Sequence, residues 1–243
     1  MIKPTKANVL KLRLHQFAPL ADQESASPFC VKVQYALRYK QLPFTVANVK
    51  TPGELRQLNP RRKLPVLDYD GVMIADSTEI IRHLEASHPE PRLYPLDVKS
   101  RNHALMIEDW ADESLYWHVV YERWMVREQF GQIAAELFAA LPAPIRPALQ
   151  AMIRRQVERN LRAQGLGRLT VHEHREKLRQ ALDWLNSILN GRFLCGADLS
   201  VADLAVAAQI AALTIPQTPA VAAEVRMRPN LSGWLDGVRA AVL

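Results

Sequence analysis

The sequence predicts a two-part fold in which a small α/β domain precedes an all-α domain. Strand-like and helix-like patterns alternate up to residue 87, and the next ten residues (88–97) contain three prolines and no periodicity. Almost every later segment has a helical pattern. The 243 residues, 49% of them hydrophobic, suffice for a substantial core. We therefore expect an α/β domain over 8–87, a linker over 88–97 and an all-helical domain over 98–243.

The first domain is predicted to contain four strands in one mixed sheet. Residues 10–15 alternate apolar and polar side chains, as a half-buried strand does, and residues 43–49 form the second strand. Asp70-Gly71 joins two apolar runs, 64–69 and 72–74, and such a two-residue link is a strong hairpin signal. The last two strands are therefore expected to be antiparallel neighbours.

Helices are predicted between and after these strands. Ser27 has the character of an N-cap, with Pro28 at the first helical position behind it. A short helix is expected over 51–58. Asp76 and Glu79 have the spacing of a capping box, in which each side chain bonds the backbone of the other residue, and this box precedes the next helix.

The second domain is predicted to be helical throughout. One long amphipathic pattern covers 102–130, and further helices are expected over 147–164, 171–190, 200–213 and 231–241.

The clearest local signal in this domain lies at the start of the helix 200–213. Ser200 and Asp203 fit a capping box, and Leu199 and Leu204 fit the hydrophobic staple that flanks one. The helix that follows is apolar nearly all round, so it is expected to be buried.

Composition excludes several classes of protein. There is no apolar run of about 18 residues, so no membrane span is expected, and the first residues lack the long apolar region of a signal peptide. The net charge is +6, but the densest basic run, 154–168, contains no aromatic residue and favours a solvated helix face over nucleic-acid binding. Cys30 and Cys195 make no disulfide framework, which favours a reducing, cytoplasmic setting. The histidines show no metal-ligand spacing, so no metal site is predicted.

Four motifs in this order resemble the glutathione transferase family. They are SPFCVKV at 27–33, KLPVL at 63–67, Asp76-Ser77, and the box of residues 200–203. The resemblance covers about residues 10–240. It implies a thioredoxin-like N-terminal domain with a mixed four-stranded sheet, followed by an all-helical C-terminal domain.

Two branches of the family are similar to this chain. The SPF motif resembles the tau-type and related enzymes that depend on a serine. The segments LHQF and EDWADESLYWHVVYERW (108–124) also resemble the metaxin and failed-axon-connections branch, which includes proteins with little or no transferase chemistry.

Ser27 is predicted to be the catalytic residue. The glutathione thiol has an ordinary pKa of about 8.5–9, which must fall for the thiolate to form at neutral pH. The free amides and dipole at a helix N-terminus favour an anion there. A hydroxyl that donates to the thiolate lowers the thiol pKa by about one to two units. Ser27 is therefore expected to stabilise the thiolate; the alternative is a plain N-cap.

Cys30 is the second candidate in the same segment. SPFC is similar to a glutaredoxin-type CPFC in which serine replaces the first cysteine. A thiol of low pKa there could form a mixed disulfide with glutathione. The alternative is a small buried residue that faces the sheet.

The resemblance implies that glutathione is bound by one group of residues: Phe29, Lys50, Lys63, Leu64, Pro65, Asp76 and Ser77. Leu64-Pro65 is similar to the family's cis-proline segment, which leaves the Leu64 amide and carbonyl free to pair with an extended peptide. A trans proline at the start of a strand is the alternative.

The two ends of the tripeptide are assigned to different residues. Asp76 and Ser77 would hold the γ-glutamyl end, or would serve only as a helix cap. Lys63 and Lys50 would meet the glycyl carboxylate, with the neighbouring arginines 61 and 62 as substitutes, although Lys50 could equally be a surface lysine.

Tyr116 and Trp117 are the candidates for a hydrophobic substrate pocket, with core packing as the alternative. The leading hypothesis is a cytoplasmic, homodimeric glutathione transferase of detoxification type, which conjugates glutathione to a small apolar electrophile. Glutathione is then a co-substrate, and no metal, nucleic acid or membrane takes part. The alternatives are a non-catalytic binding protein of the same fold and a glutathione-dependent thiol reductase that uses Cys30.

Overall fold

A computed structural model describes residues 10–242 and contains one mixed four-stranded sheet. The strands are β1 (Leu12–Gln16), β2 (Thr45–Asn48), β3 (Val66–Tyr69) and β4 (Val72–Ala75), in the spatial order β2-β1-β3-β4. β1 pairs in parallel with β2 and antiparallel with β3, and β3 pairs antiparallel with β4. The predicted α/β architecture is confirmed. The expected domain start at residue 8, and the reading of the extreme N-terminus, lie outside the described residues.

Three helices accompany the sheet: α1 (Pro28–Tyr39), α2 (Pro52–Leu58) and α3 (Ser77–Ser87). α1 is the central one, because residues on almost every side of it are buried. One face packs on the sheet and the other meets the helical part of the chain, so α1 is placed where a cleft between the two parts begins.

The predicted hairpin has the expected turn. Asp70 and Gly71 have φ angles of 52° and 94°, both in the left-handed region that a two-residue hairpin turn requires. The Asp68 carboxylate accepts a hydrogen bond from the Gly71 amide at 2.8 Å. This turn fixes the register that brings the start of β3 beside the end of β4.

The long helix predicted over 102–130 is wrong as a single element. The chain forms α4 (Val98–Trp110), a π-helical turn (Ala111–Leu115), α5 (Tyr116–Trp124) and then α6 (Arg127–Leu137). Val126 is extended, with φ −74° and ψ 112°, and its side chain is buried. The amphipathic pattern continues across this break because each helix still buries one face, although Ile133 in α6 packs in a different cluster from Val120 and Tyr121 in α5.

The remaining helices follow the predicted positions closely, with one that was missed. They are α7 (Arg146–Gln164), α8 (Val171–Ile188), α9 (Val201–Leu213), α10 (Pro219–Arg226) and α11 (Pro229–Val242), and a short 3-10 turn lies between α7 and α8. α10 was not predicted, because its eight residues are too few to show a helical period. Residues 88–97 form neither helix nor strand; the domain limits there stay a prediction.

The capping box predicted at the start of α9 is confirmed, and it is part of a buried hydrogen-bond network. Asp203 accepts hydrogen bonds from the Ser200 amide and hydroxyl through one oxygen. Its other oxygen accepts from the Leu194 amide and from the Trp234 indole, each at 2.8 Å. Every residue of α9 is buried, as its apolar pattern predicted. None of the described helices is long and apolar enough to cross a bilayer.

Candidate functional site

A cleft of about 580 Å³ opens between the start of α1, the start of β3, the start of α3 and one face of α4. Six of the predicted site residues line it: Phe29, Lys63, Leu64, Pro65, Asp76 and Ser77. The cleft therefore brings together motifs that are almost fifty residues apart in the sequence.

The floor of the cleft is the Leu64-Pro65 peptide, which is cis. No backbone hydrogen bond within residues 10–242 involves the Leu64 amide or carbonyl. The Pro65 carbonyl is not free, because it accepts a hydrogen bond from the Asp76 amide at 3.3 Å. The Asn59 side chain also donates to the Lys63 carbonyl at 2.9 Å and shapes the turn before Leu64. A free donor and acceptor at the edge of a sheet can pair with an extended peptide ligand.

The N-terminus of α3 forms the next wall. Asp76 has a φ of +85°, unusual for a residue with a side chain, and such strain is often found at functional sites. Its carboxylate accepts from the amides of Thr78 at 2.9 Å and Glu79 at 3.4 Å. Ser77, the first residue of the helix, is 5% exposed and lines the cleft.

The second half of the capping box predicted for Asp76 and Glu79 is absent, so that prediction is wrong in part. The Glu79 carboxylate pairs instead with Arg82 at 2.7 Å, and the Asp76 amide bonds to Pro65. Glu79 is thus turned along its own helix, and the Asp76 backbone remains tied to β3.

The start of α1 supplies Ser27 and Phe29. Ser27 occupies the N-cap position and Pro28 the first helical position, as predicted, but the Ser27 hydroxyl makes no capping hydrogen bond. Only its carbonyl engages the helix, accepting from the amides of Cys30 and Val31. Ser27 is half-buried and is not among the residues that line the cleft, whereas Phe29 is.

Cys30 faces the interior. Its side chain is 0% exposed and packs in a cluster with Leu64 and Val66. Burial raises the pKa of the Cys30 thiol, although hydrogen bonds from the Phe17 backbone and from Ser27 oppose that change. A thiol in this position is protonated at neutral pH and is out of reach of a ligand in the cleft.

A buried ion cluster that the sequence analysis missed joins α1 to the helical part. Lys32 Nζ lies 2.7 Å from Glu108 Oε1 and 2.6 Å from Asp112 Oδ2, and the Thr78 hydroxyl donates to the same Glu108 oxygen. Burial raises the pKa of the Asp112 carboxyl, against the opposing effect of Lys32. Glu108, Asp112 and Thr78 all line the cleft.

Basic and acidic residues are unevenly distributed over the lining of the cleft. Three basic residues, Arg61, Lys63 and Arg82, lie on the α/β side. The opposite side is acidic: Glu108, Asp109, Asp112 and Glu113. The basic residues favour the carboxylates of a ligand, and the acidic side disfavours negative charge placed against it.

The other predicted residues lie at the margins. Tyr116 packs against Phe29 with the ring centroids 4.8 Å apart, and Trp117 packs against Tyr116 at 5.5 Å. Both pack against the hydrophobic cluster that contains Val120 and Tyr121, and neither lines the cleft. Lys50 is exposed and does not line the cleft.

The residues of the buried ion cluster, which the sequence analysis missed, do have recognisable patterns in the sequence. Lys32 is the one charged residue in the stretch 28–37, in which only Gln34 is otherwise polar, and this is a sign of a buried ion partner. Glu108 and Asp112 are spaced four apart and so share one helix face. What the spacing did not reveal is that this face meets Lys32. Among residues 10–242 no group of three or more potential metal ligands is assembled.

Two family models match the chain. Residues 28–130 match the model described as the glutathione S-transferase N-terminal domain. Residues 148–237 match the model described as the glutathione S-transferase C-terminal domain.

Individual relatives have three different descriptions. Maleylacetoacetate isomerase of Rattus norvegicus is 41% identical over 86 residues, which cover 32% of this chain and 40% of the rat protein. Protein LigF of Sphingobium sp. is 28% identical over 118 residues, 47% of this chain and 45% of LigF. FtsZ-localized protein A of Caulobacter vibrioides is 27% identical over 195 residues, 76% of this chain and 73% of that protein. These sequence alignments thus span less than half the length of the first two relatives.

The solved structure of the β-etherase LigF from Sphingobium is similar in fold. It superposes with a TM-score of 0.69 at 22% identity and covers 95% of this chain and 98% of LigF. Identity this low supports the fold alone.

Proposed function

The chain belongs to the glutathione S-transferase family, and from this premise we propose that its cleft binds glutathione and catalyses transfer of the glutathione thiolate to a small electrophile. The observation that carries the proposal is the free Leu64 amide and carbonyl next to the N-terminus of α3. Together they offer a peptide-pairing edge and an anion site within one cleft.

Each part of glutathione finds a matching group. The cysteinyl backbone pairs with Leu64 on the cis-peptide floor. The γ-glutamyl carboxylate meets Ser77 and the free amides of α3, and the γ-glutamyl ammonium meets the Asp76 carboxylate. Lys63 and Arg61 also line the cleft and meet the glycyl carboxylate, with Lys50 outside the lining.

The thiol is activated at the start of α1. The Ser27 hydroxyl makes no capping hydrogen bond, so a thiolate placed at this helix N-terminus can take the hydrogen bond that the hydroxyl gives to the neutral Cys30 thiol. The S–H bond breaks, the proton leaves to solvent, and the electron pair remains on sulfur. The thiolate then forms an S–C bond with the electrophile while the leaving group departs with its own electron pair.

A second candidate function is that of a binding protein without transferase chemistry. It is favoured by the extent of the similarity to FtsZ-localized protein A, which covers 76% of this chain, far more than the isomerase match does. The third possibility, a thiol reductase based on Cys30, has less support because that thiol is fully buried and its pKa is raised.

We also propose a cytoplasmic homodimer. Val72 and Met73 on the edge strand β4 are 60% and 45% exposed, and Met106 on α4 is 71% exposed. Exposed apolar side chains of this size, on an edge strand and on a helix of the second part of the chain, are suited to a partner surface. Sedimentation of the wild type and of Met106→Lys tests this; a wild type that is monomeric at micromolar concentration contradicts it.

Calorimetry with glutathione tests the enzyme proposal. We expect binding to the wild type, at least tenfold weaker binding to Ser77→Ala, and unchanged binding to Ser187→Ala, a matched serine that is exposed on α8. Conjugation of glutathione to an aryl halide is then followed in the same proteins. Absence of heat at millimolar glutathione would eliminate the enzyme, and binding without conjugation would favour the binding protein.

A further inference from the structure

Arg123 in α5 is a buried cation that reaches the segment in front of α1. The residue is 6% exposed. Its Nη1 donates to the Ala26 carbonyl at 2.6 Å, and its Nη2 donates to the Ala212 carbonyl near the end of α9 at 2.9 Å. The guanidinium therefore links three segments that surround the start of α1.

This cation has no counter-ion in the part of the chain that the structure describes. Both acceptors are neutral carbonyls, and no Asp or Glu within residues 10–242 forms an ion pair with it. Its Nε–H is buried and has no hydrogen-bond partner there. Keeping a charge away from water without an opposite charge is costly, so such an arrangement calls for an anion nearby.

The charge persists at neutral pH. Burial lowers the pKa of the Arg123 guanidinium to about 10, and the one titratable side chain that opposes this change is Tyr116 on the same helix. Burial in turn raises the pKa of Tyr116, so Tyr116 is a neutral phenol at neutral pH and does not balance the charge.

The position of the guanidinium relates it to the thiolate site. Ala26 immediately precedes Ser27, and consecutive Cα atoms are about 3.8 Å apart. The Arg123 guanidinium is thus bonded to the peptide group that joins Ala26 to Ser27, whose hydroxyl is assigned to the glutathione sulfur, at the positive end of the twelve-residue helix α1.

We propose that Arg123 is a positioning residue that orients the Ala26–Ser27 peptide and whose buried charge holds the bound glutathione sulfur as a thiolate. The inference rests on the proposed function, since it needs glutathione in the cleft. In the step concerned, the S–H bond breaks, the proton passes to solvent, and the negative sulfur becomes the counter-ion of Arg123. At an effective dielectric constant of about 20, a positive charge roughly 10 Å from the sulfur lowers the thiol pKa by on the order of one unit.

The test is a pH titration of bound glutathione, followed by the ultraviolet absorbance of the thiolate. The variants are Arg123→Met, which removes the charge, and Arg123→Lys, which keeps it. Arg228→Met is the matched control, because Arg228 is also largely buried but is paired with Asp183 and Glu224.

We expect Arg123→Met to raise the pKa of the bound thiol by about one unit, and to lower kcat/KM at pH 7 about tenfold with an upward shift of the pH profile. Arg123→Lys should keep most of the wild-type thiol pKa, and Arg228→Met all of it. An unchanged thiol pKa in Arg123→Met, with activity reduced equally at every pH, would overturn the inference and leave Arg123 as a structural tie.

Two further outcomes are distinguishable. If the wild type binds no glutathione, the proposed function fails and the inference fails with it. If Arg123→Met does not fold, the inference is tested on Arg123→Lys and the wild type by thermal unfolding with two ligands. Glutathione should then raise the thermal midpoint of the wild type more than S-methylglutathione does, by a margin that grows with pH through the thiol pKa. An equal increase from both ligands contradicts the role of the charge.

Discussion

Lys32 Nζ lies 2.7 Å from Glu108 Oε1, so a buried ion pair connects α1 to α4 across the cleft. The same ammonium also binds Asp112, which means that one positive charge balances two carboxylates. The ligand-facing start of α1 and the acidic wall of the cleft are thereby held in one arrangement.

Replacement of Lys32 is predicted to destabilise the fold strongly. Lys32→Met leaves Glu108 and Asp112 facing each other with no cation, and breaking a buried pair in this way costs about 3–5 kcal/mol. Urea unfolding at pH 7 measures the loss. Arg82→Met is the control, because the Arg82–Glu79 pair is more than half exposed and is worth about 1 kcal/mol or less. Equal midpoints for the two variants would contradict the prediction.

Replacement of Ser27 is predicted to lower the rate of conjugation more than the affinity for the tripeptide. Loss of one hydrogen bond to a charged sulfur costs about 1.5–3 kcal/mol, so Ser27→Ala should lower kcat/KM for an aryl halide by about 10- to 150-fold. The dissociation constant of S-methylglutathione, whose sulfur carries no charge, should change little. Cys30→Ala is the comparison, since its thiol is buried away from the cleft. Loss of conjugation in Cys30→Ala alone would reverse the assignment.

The acidic wall is predicted to discriminate against negatively charged electrophiles. Asp109 and Glu113 are exposed in the lining, and neither forms an ion pair within residues 10–242. Two aryl halides that differ only in a carboxylate substituent should therefore react at different rates, with the neutral one preferred. Asp109→Asn combined with Glu113→Gln should reduce that preference about two- to five-fold, and more at low salt. A preference that the double variant leaves unchanged at low salt would contradict the prediction.

The sequence predicted the parts of this fold that depend on local patterns. The Asp70-Gly71 turn and the Ser200–Asp203 box are determined within a few residues, and both are present as expected. The break at Val126 was missed, because one extended residue hardly disturbs an amphipathic pattern.

The site was predictable to the extent that motifs mark it, and not where distant segments meet. Leu64, Pro65 and Ser77 lie in the cleft because strand and helix ends position them. Arg123 donates to Ala26, 97 positions earlier, and no spacing in one sequence reveals such a contact. The partners of buried charges are decided by tertiary packing, which a periodic pattern constrains only as an apolar face.

A pair of buried histidines is predicted to make the protein sensitive to acid. His118 Nδ1 and His174 Nε2 are 3.0 Å apart, Tyr121 stacks on His174, and His174 Nδ1 lies 3.4 Å from the Glu122 carboxylate. Burial lowers the pKa of both histidines, that of His118 to about 3, and the charge of His174 lowers it further. The Arg175 guanidinium also lies 3.4 Å from the Glu122 carboxylate.

The direction of the pH effect follows from these shifts. Above pH 6.5 both histidines are neutral in the folded and unfolded chain, so they leave stability unchanged. Between pH 6.5 and about 3 the unfolded chain takes up protons that folded His118 does not, so stability falls as the pH falls. The loss approaches about 1.4 kcal/mol per pH unit for His118, and His174 adds to it in the same direction.

Urea unfolding between pH 7.5 and 5 measures this loss. His118→Gln keeps a hydrogen-bonding side chain but cannot titrate, so it should lose about 1.4 kcal/mol less than the wild type for each pH unit below 6.5. His172→Gln is the matched control, because the side chain of His172 is 79% exposed, and it should follow the wild type. The same pH dependence in His118→Gln and the wild type would show that the buried pair does not govern acid stability. Glu122, whose pKa is lowered in the fold by His174 and Arg175 despite its burial, adds a further loss only below about pH 4.5.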